Sequence, residues 1–469
     1  MSGWTASVTV MARTSVKAGA RRRNTHPAVC IGAVLAIGLV AGGCRQVMMP
    51  TPVIYHDERF DPFFNTPEEE RSTIIPVFYA TDRQRLGEAD EPRYTNAIDL
   101  PLSLGQAKVR LGDERMTWEE LREASTGPDR RRSVPLYLLD LDEAGALSTT
   151  ADRREFSDER DEPGRELTSG ERAFIDELNR QLAGSVNKDL TIYVHGFKVT
   201  FDNPCLVAAE LHHFLAGNSV VMAYAWPSRQ SGLLFRADIR RARASAPRLA
   251  RLLEFLAAHS DAENINVLSY SAGAALAAEG LHLLRERYAD LERPELRRDL
   301  RIGRVIFAAA AINLEEFKDQ HFASIYEMAQ RVVVLFSTRD TALAIAHLPS
   351  LGAAKLGGAN VRRFDRERLE RLAGIEHLNL IDASYGEVNR HNDWIGHAYW
   401  YANPWISSDV LASLRFYLPP EERGLARMED KPVWYFPADY PQRIAEIAVE
   451  ILGKDRLEPD GARGAATEP

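Results

Sequence analysis

The sequence predicts an α/β protein built on a doubly wound, mostly parallel sheet, and three features point to that class. From about Arg71 onward, short β-branched or aromatic runs alternate with stretches of helical periodicity. The later runs are apolar almost without interruption, as expected of strands covered by helices on both faces. The chain has 469 residues, 45% hydrophobic and 27% charged, which supplies one large core plus appendages.

The first strand candidates are Ile74 to Arg83 (IIPVFYATDR), Ala107 to Leu111 and Val134 to Leu141, read as an antiparallel edge within residues 71–147. The segment STTADRREFSDERDEPGRELTSG follows, with dense charge, Pro163, two glycines and no apolar period. Residues 148–169 therefore read as an exposed charged insertion. The core, residues 170–452, then alternates regularly. Its strands are Leu190 to Phe197, Val220 to Pro227, Asn264 to Tyr270, Arg304 to Ile312, Arg331 to Thr338 and Leu378 to Ser384. Helices such as Pro204 to Leu215, Arg240 to Ala257 and Ala272 to Arg287 lie between them. Residues 44–70 read as a linker and 453–469 as a disordered tail.

The formal charge of −9 gives no basic footprint, so nothing recommends a nucleic-acid partner. The N-terminus differs in kind. Arg13, Lys17 and Arg21 to Arg23 precede the uncharged run PAVCIGAVLAIGLVAGGC, which ends on small residues and Cys44. Residues 1–43 read as an export signal, and the end resembles a bacterial lipoprotein lipobox in which Cys44 is lipidated, with Ala41 where leucine is usual. The protein would then be a lipid-anchored membrane protein facing the periplasm. An uncleaved N-terminal transmembrane anchor is the alternative, and it too leaves the body outside the cytoplasm. Of the three cysteines, processing removes Cys30 and modifies Cys44. Cys205 is left without an internal partner, and no CxxC spacing suggests zinc.

Reacting groups in such a sheet gather at the carboxyl ends of strands. Ser271 stands at one. A strand, then Ser269-Tyr270-Ser271-Ala272-Gly273, then an alanine-rich helix approximates the G-x-S-x-G turn that thrusts a serine hydroxyl into a site, with Ser269 where glycine is usual. A helix N-cap is the bland reading. A serine nucleophile needs an imidazole to take its proton and an acid to orient it, in the order Ser, Asp, His. Asp340 lies just beyond a strand two strands on, and His397 in the loop after the next. Asp382 is the reserve acid and His391 the reserve base; Asp393 would serve only with a different loop, and His347 and His377 are less well placed. The Ala272 and Phe197 amides are the candidate oxyanion donors, with Lys198 close behind, and His195 reads as a loop organiser.

The ordered blocks VFYATDR, YVHGFKVTF, YAWPS, LSYSAG, AAAAINLEEF, STRDTAL and GHAYWYANP resemble a family of bacterial α/β-hydrolases whose members are largely uncharacterised. The resemblance spans roughly Ile74 to Tyr440. It implies an α/β-hydrolase fold, with Ser271 as nucleophile, Asp340 as acid and His397 as base. The family commonly has asparagine at the position of Lys198, a His-Ser-Met-Gly elbow, and Pro-Asp at the positions of Ala310 and Ala311. Losing that aspartate removes one rival of Asp340.

A Ser-His-Asp site performs acyl transfer through an acyl-enzyme and needs no metal or organic cofactor. Carboxylic esters, small-molecule or lipid, are the default substrates, and Lys198, Tyr270 and Trp226 are the candidate substrate contacts. Residues 341–374 read either as a helical cap or as a plain crossover. Trp394, Trp400 and Trp405 read as core or rim. The arginines of RRARASAPRLARLL read as a solvated helix face, with anionic lipid as the rival partner. An acyltransferase using the same serine and a non-catalytic envelope binding protein are the competing classes.

Overall fold

The computed structural model describes residues 46–457 apart from 89–90, 129, 131, 148–159, 230–234, 347–353, 362–363 and 385–395. Strands β1 (Ile74–Leu86), β2 (Arg93–Leu111) and β3 (Leu136–Leu147) form an antiparallel meander. They are followed by β4 (Asp189–Val194), β5 (Ser219–Tyr224), β6 (Asn264–Tyr270), β7 (Ile302–Ala308), β8 (Arg331–Phe336) and β9 (Leu378–Asp382), which pair in parallel. Two short strands, β10 (Ala426–Arg427) and β11 (Trp434–Tyr435), complete the sheet, in the order β10-β11-β9-β8-β7-β6-β4-β5-β1-β2-β3.

The parallel strands are apolar throughout because both faces are covered. Leu190, Ile192 and Val194 enter one hydrophobic cluster, while Tyr193, Leu268, Ile306 and Val333 enter the other. Helices α1 (Ser169–Gly184), α3 (Phe235–His259) and α4 (Gly273–Arg287) contribute to the first cluster; α2 (Asp202–Phe214), α5 (Pro404–Phe416) and α6 (Tyr440–Leu457) contribute to the second. The chain runs from β4 outward to β5, then back across β4 to β6. The loops after β4 and β6 therefore diverge, and that divergence opens the crevice where α/β sheets bind ligands.

Several boundaries differ from the sequence reading. β2 is far longer than Ala107 to Leu111 and its partner β1 reaches Leu86, so the edge is a long twisted hairpin. β7 stops at Ala308, because Ala309 turns to φ +49 and its amide bonds the Tyr399 hydroxyl at 2.9 Å. Residues 44–70 are not a linker where they are described. Met48, Met49, Val53, Ile54, Tyr55, Phe60 and Phe63 are buried, most of them against α2, α5 and α6. The charged insertion is likewise pinned at its described end. Asp161 is buried and paired with Arg165 at 2.6 Å, Arg251 at 2.5 Å and His259 at 3.1 Å. The arginine face of α3 is therefore not merely solvated: Arg251 holds Asp161, Arg243 holds Glu316, and Arg248 lies 3.6 Å from buried Asp82. The tail begins as helix, since α6 continues to Leu457.

In the candidate cap, Thr341–Ala346 is a short helix, and Leu356, Ala359 and Val361 are buried. The Ala354–Gly358 stretch docks on the strand ends, with Leu356 N–H donating to Ile312 O and Gly357 N–H to Ala310 O, each at 2.9 Å. A Cβ on Gly357 would sit 2.3 Å from Ala310 N, so only glycine allows that approach. The amphipathic helix Arg366–Ala373 then leads into β9.

Candidate active site

At the end of β6 the chain must reverse into α4 within two residues, and Ser271 takes the strain. Its φ is +53, a left-handed conformation that costs a non-glycine residue about 1–3 kcal/mol. Three backbone bonds hold it there: Ser271 N–H donates to Ala308 O at 3.0 Å, and Ser271 O accepts from Ala311 N at 3.0 Å and Ala274 N at 3.2 Å. Gly273 is required because a Cβ would stand 2.3 Å from His195 O and 2.6 Å from Val194 O, the end of β4. Ser269, in place of the usual glycine, is accommodated by donating its hydroxyl to Ile306 O at 3.1 Å.

Beyond β8, Asp340 is buried and its Oδ1 accepts the Leu343 amide at 2.9 Å, which fixes the carboxylate plane. Its other oxygen, Oδ2, lies 2.7 Å from His397 Nδ1, and His397 Nε2 lies 2.8 Å from Ser271 Oγ. A carboxylate can only accept, so Nδ1 carries the proton and Nε2 is left to accept from the serine hydroxyl. Gly396 makes this reach possible. It adopts φ +69, and a Cβ there would lie 2.8 Å from Arg339 O in the loop carrying Asp340. Tyr270 flanks the imidazole, with ring centroids 5.3 Å apart and its hydroxyl donating to His397 O at 3.4 Å. Behind it, Tyr399 donates to Leu335 O at 2.8 Å, tying the histidine loop to β8.

The reserve acid falls elsewhere. Asp382 accepts the Ser384 amide at 2.8 Å and stabilises the turn leaving β9. His377 is exposed at the opposite end of that strand. His391, His347, Asp393 and Trp394 lie outside the described residues, as does Cys44. Trp400 is buried and Trp405 half-buried in the second cluster, where they act as core and rim.

The loop after β4 faces the elbow. A Cβ on Gly196 would be 3.1 Å from Ser271 Cβ, so the loop passes tightly over the serine, with Phe197 and Lys198 next in line. Lys198 adopts φ +66. Asparagine tolerates that conformation better than lysine does. Ala272 is buried at the head of α4, with its amide at the elbow.

Trp226, read as a substrate contact, is instead wholly buried beneath this loop. Its indole N–H donates to His195 O at 2.7 Å, and its ring stacks on the His195 ring at 5.1 Å. His195 is locked between Gly196 O at 2.6 Å and Trp226 O at 3.0 Å. Burial, followed by the nearby Arg83 charge, pulls its pKa down to about 3. A neutral imidazole has one N–H, so it serves one of those two carbonyls and has no proton to trade near neutral pH.

Sequence reasoning missed Arg83. This buried guanidinium crosses from β1 and donates to Val199 O and Ala225 O, each at 3.2 Å, and to Asn96 Oδ1 at 2.5 Å. Thr81 adds a bond to Ala225 O at 2.7 Å, and Ser228 exchanges bonds with both Val199 backbone groups. The VFYATDR block thus braces the loop beside Ser271 from below. In the sequence Arg83 stood only as the last residue of the VFYATDR block, with no role attached.

Cys205 is buried and its thiol pushed up by burial, so it is not a reactive group. Among the described residues, no three His, Cys, Asp or Glu side chains converge as a metal site would require.

The sequence model of a family described as alpha/beta hydrolase of unknown function (DUF900) matches residues 170–414, more than half of the chain. The chain belongs to that family. The matched part of the α/β-hydrolase includes Ser271, Asp340, His397 and the loop after β4, whereas Arg83 and the N-terminal strands lie outside it. No curated protein matches the chain. Among the described residues, no helix of this hydrolase is long and apolar enough to cross a membrane.

Proposed function

We propose that the protein is a serine hydrolase acting on carboxylic esters through Ser271, His397 and Asp340. The observation that carries this reading is the unbroken hydrogen-bonded chain from Asp340 through His397 to a serine held in a strained turn. His397 Nε2 takes the Ser271 proton as Oγ attacks the ester carbonyl, and Asp340 stabilises the imidazolium that forms. The tetrahedral oxyanion takes hydrogen bonds from the Ala272 and Phe197 amides, each worth on the order of 10²–10³ in rate when donors are fixed in advance. His397 then protonates the departing alcohol, and water repeats the sequence to release the acid. Tyr270 and Lys198 flank the acyl position. The buried His195–Trp226 pair and Arg83 hold the loop still, so little reorganisation is left for the reaction to drive.

The N-terminal sequence supports export and lipidation at Cys44, which would hold this esterase at the periplasmic face of a bacterial membrane. A fluorophosphonate probe tests the chemistry. The body beginning after Cys44 is expected to be labelled on Ser271, with label lost in Ser271→Ala and strongly reduced in His397→Ala. A folded protein that takes no label sinks the proposal, and product formed with alcohol acceptors in preference to water would make the enzyme an acyltransferase.

A further inference from the structure

Three separate segments carry Ser271, Asp340 and His397, and one hydroxyl touches the roots of all three. Tyr399, just after His397, opens the short helix Tyr399–Ala402 and is buried. Its hydroxyl accepts the Ala309 amide at 2.9 Å and donates to Leu335 O at 2.8 Å. Burial, followed by the nearby charge of Asp340, pushes its pKa well above the usual tyrosine value, so the phenol keeps the proton it donates.

Both partners lie where β7 and β8 part. The last paired residues of the two strands are Ala308 and Leu335. Just beyond them the direct bond from Ala309 N–H to Leu335 O is long, at 3.3 Å, and the phenol bridges the same two groups by shorter bonds. On the β7 side, the neighbours of Ala309 hold the nucleophile: Ala308 O accepts the Ser271 amide and Ala311 N–H donates to Ser271 O, each at 3.0 Å. On the β8 side, the strand runs on from Leu335 into the turn that carries Asp340, whose amide donates to Ser337 O at 3.3 Å. The Tyr270 hydroxyl also reaches His397 O, but at 3.4 Å. With its donor and its acceptor both engaged, the Tyr399 phenol has one direction open to it, and the imidazole two residues away inherits that placement.

We propose that Tyr399 is a positioning residue for the reaction: its hydroxyl fastens the histidine loop into the parting of β7 and β8, and so sets the reach of His397 to both Ser271 and Asp340. This rests on reading Ser271 as the nucleophile. Phenylalanine at this position keeps the ring and its volume but leaves the Ala309 amide only its long bond to Leu335 O. His397 then loses its register against the two strands, and an error of about 1 Å between reacting groups costs on the order of 100-fold in rate.

Tyr399→Phe in the full-length protein tests this, with Tyr55→Phe as a matched loss of a buried hydroxyl, one that donates to Phe214 O at the far end of α2. Tyr399→Phe is expected to slow fluorophosphonate labelling of Ser271, and to lower kcat per titrated site, by about 10- to 100-fold, with KM changed less than about twofold. The low-field proton resonance of His397 Nδ1–H, identified by its absence from His397→Ala, is expected to move upfield or vanish. Tyr55→Phe is expected to keep the wild-type rate and resonance even where its thermal midpoint falls as far. A wild-type labelling rate or an unmoved resonance in Tyr399→Phe overturns the positioning role alone, and so does an equal loss of rate in Tyr55→Phe. Wild-type protein that takes no label removes the nucleophile reading, and this inference with it.

Discussion

Two regions of the molecule meet at Ser271, and they are built on different terms. The carboxyl ends of β6, β8 and β9, inside the family-matched part, supply the groups that would exchange protons and bonds. The N-terminal hairpin, outside that part, contributes no such group, yet it sends Arg83 under the loop that faces them. Reactive groups can be set out by short motifs at strand ends. The stiffness of the loop beside them is contributed by chain remote in sequence, so a fragment matched to the family alone would carry the chemistry without its brace.

The contrast can be broken in order of expected effect. Ser271→Ala should remove ester hydrolysis altogether, and Asp340→Asn should lower kcat about ten-thousand-fold by offering His397 a donor where it needs an acceptor. Asp382→Asn should change kcat by no more than a few fold, because Asp382 holds a turn; steady-state kinetics on one ester ranks all three. A large loss in Asp382→Asn would reverse the assignment of the acid.

Next, Arg83→Met should reduce kcat per titrated site about 10- to 100-fold with KM little changed, since the loop amide drifts while the substrate pocket stays. Arg83→Lys should recover only part, because an ammonium cannot reproduce the fork that reaches both Val199 O and Ala225 O. Active-site titration separates this from poor folding, and full kcat per titrated site in Arg83→Met would reduce the hairpin to scaffolding.

A smaller effect concerns stability. Burial pushes Glu210 up to about 7 from 4.5, so the folded state holds its proton more tightly than the unfolded chain. That contribution is fully present below pH 4.5 and is lost as pH rises through about 7. Glu210→Gln should flatten the decline, leaving the variant about 3 kcal/mol less sensitive to pH across that window in urea melts at fixed pH. Parallel curves for the two proteins would argue against it. Smallest is Lys198→Asn, expected to raise stability by about 0.5–1 kcal/mol through relief at φ +66, read from the thermal midpoint.

The sequence revealed the reacting end more readily than the bracing end, for a physical reason. Parallel strands buried on both faces write continuous apolar runs, and their order places Ser271, Asp340 and His397 after the ends of β6, β8 and β9, where the structure joins them. Residues 46–63 write no such signal. Met48, Met49, Tyr55, Phe60 and Phe63 are buried one at a time in gaps between helices, with neither a period of 2 nor of 3.6. Trp226 misled because an aromatic at a strand end can point up into the crevice or down under the loop, and only the partner, His195 O, decides. Arg83 was illegible because a buried arginine is recognised by the carbonyls it reaches, and those come from two distant segments.

The N-terminal strap has a consequence for the order in which the chain can fold. Ile54 N–H donates to Ser408 Oγ across 354 residues, and Tyr55 bonds Phe214 O while touching Arg415. The first part of the body to emerge is therefore among the last to find its place, since its seat is completed only when α5 has been made. Until then an apolar stretch must wait unburied, and contacts of such wide sequence separation form slowly. A protein arranged this way reaches its final packing only once the whole chain is available, and trimming it at Arg71 would leave the seat open to other chains.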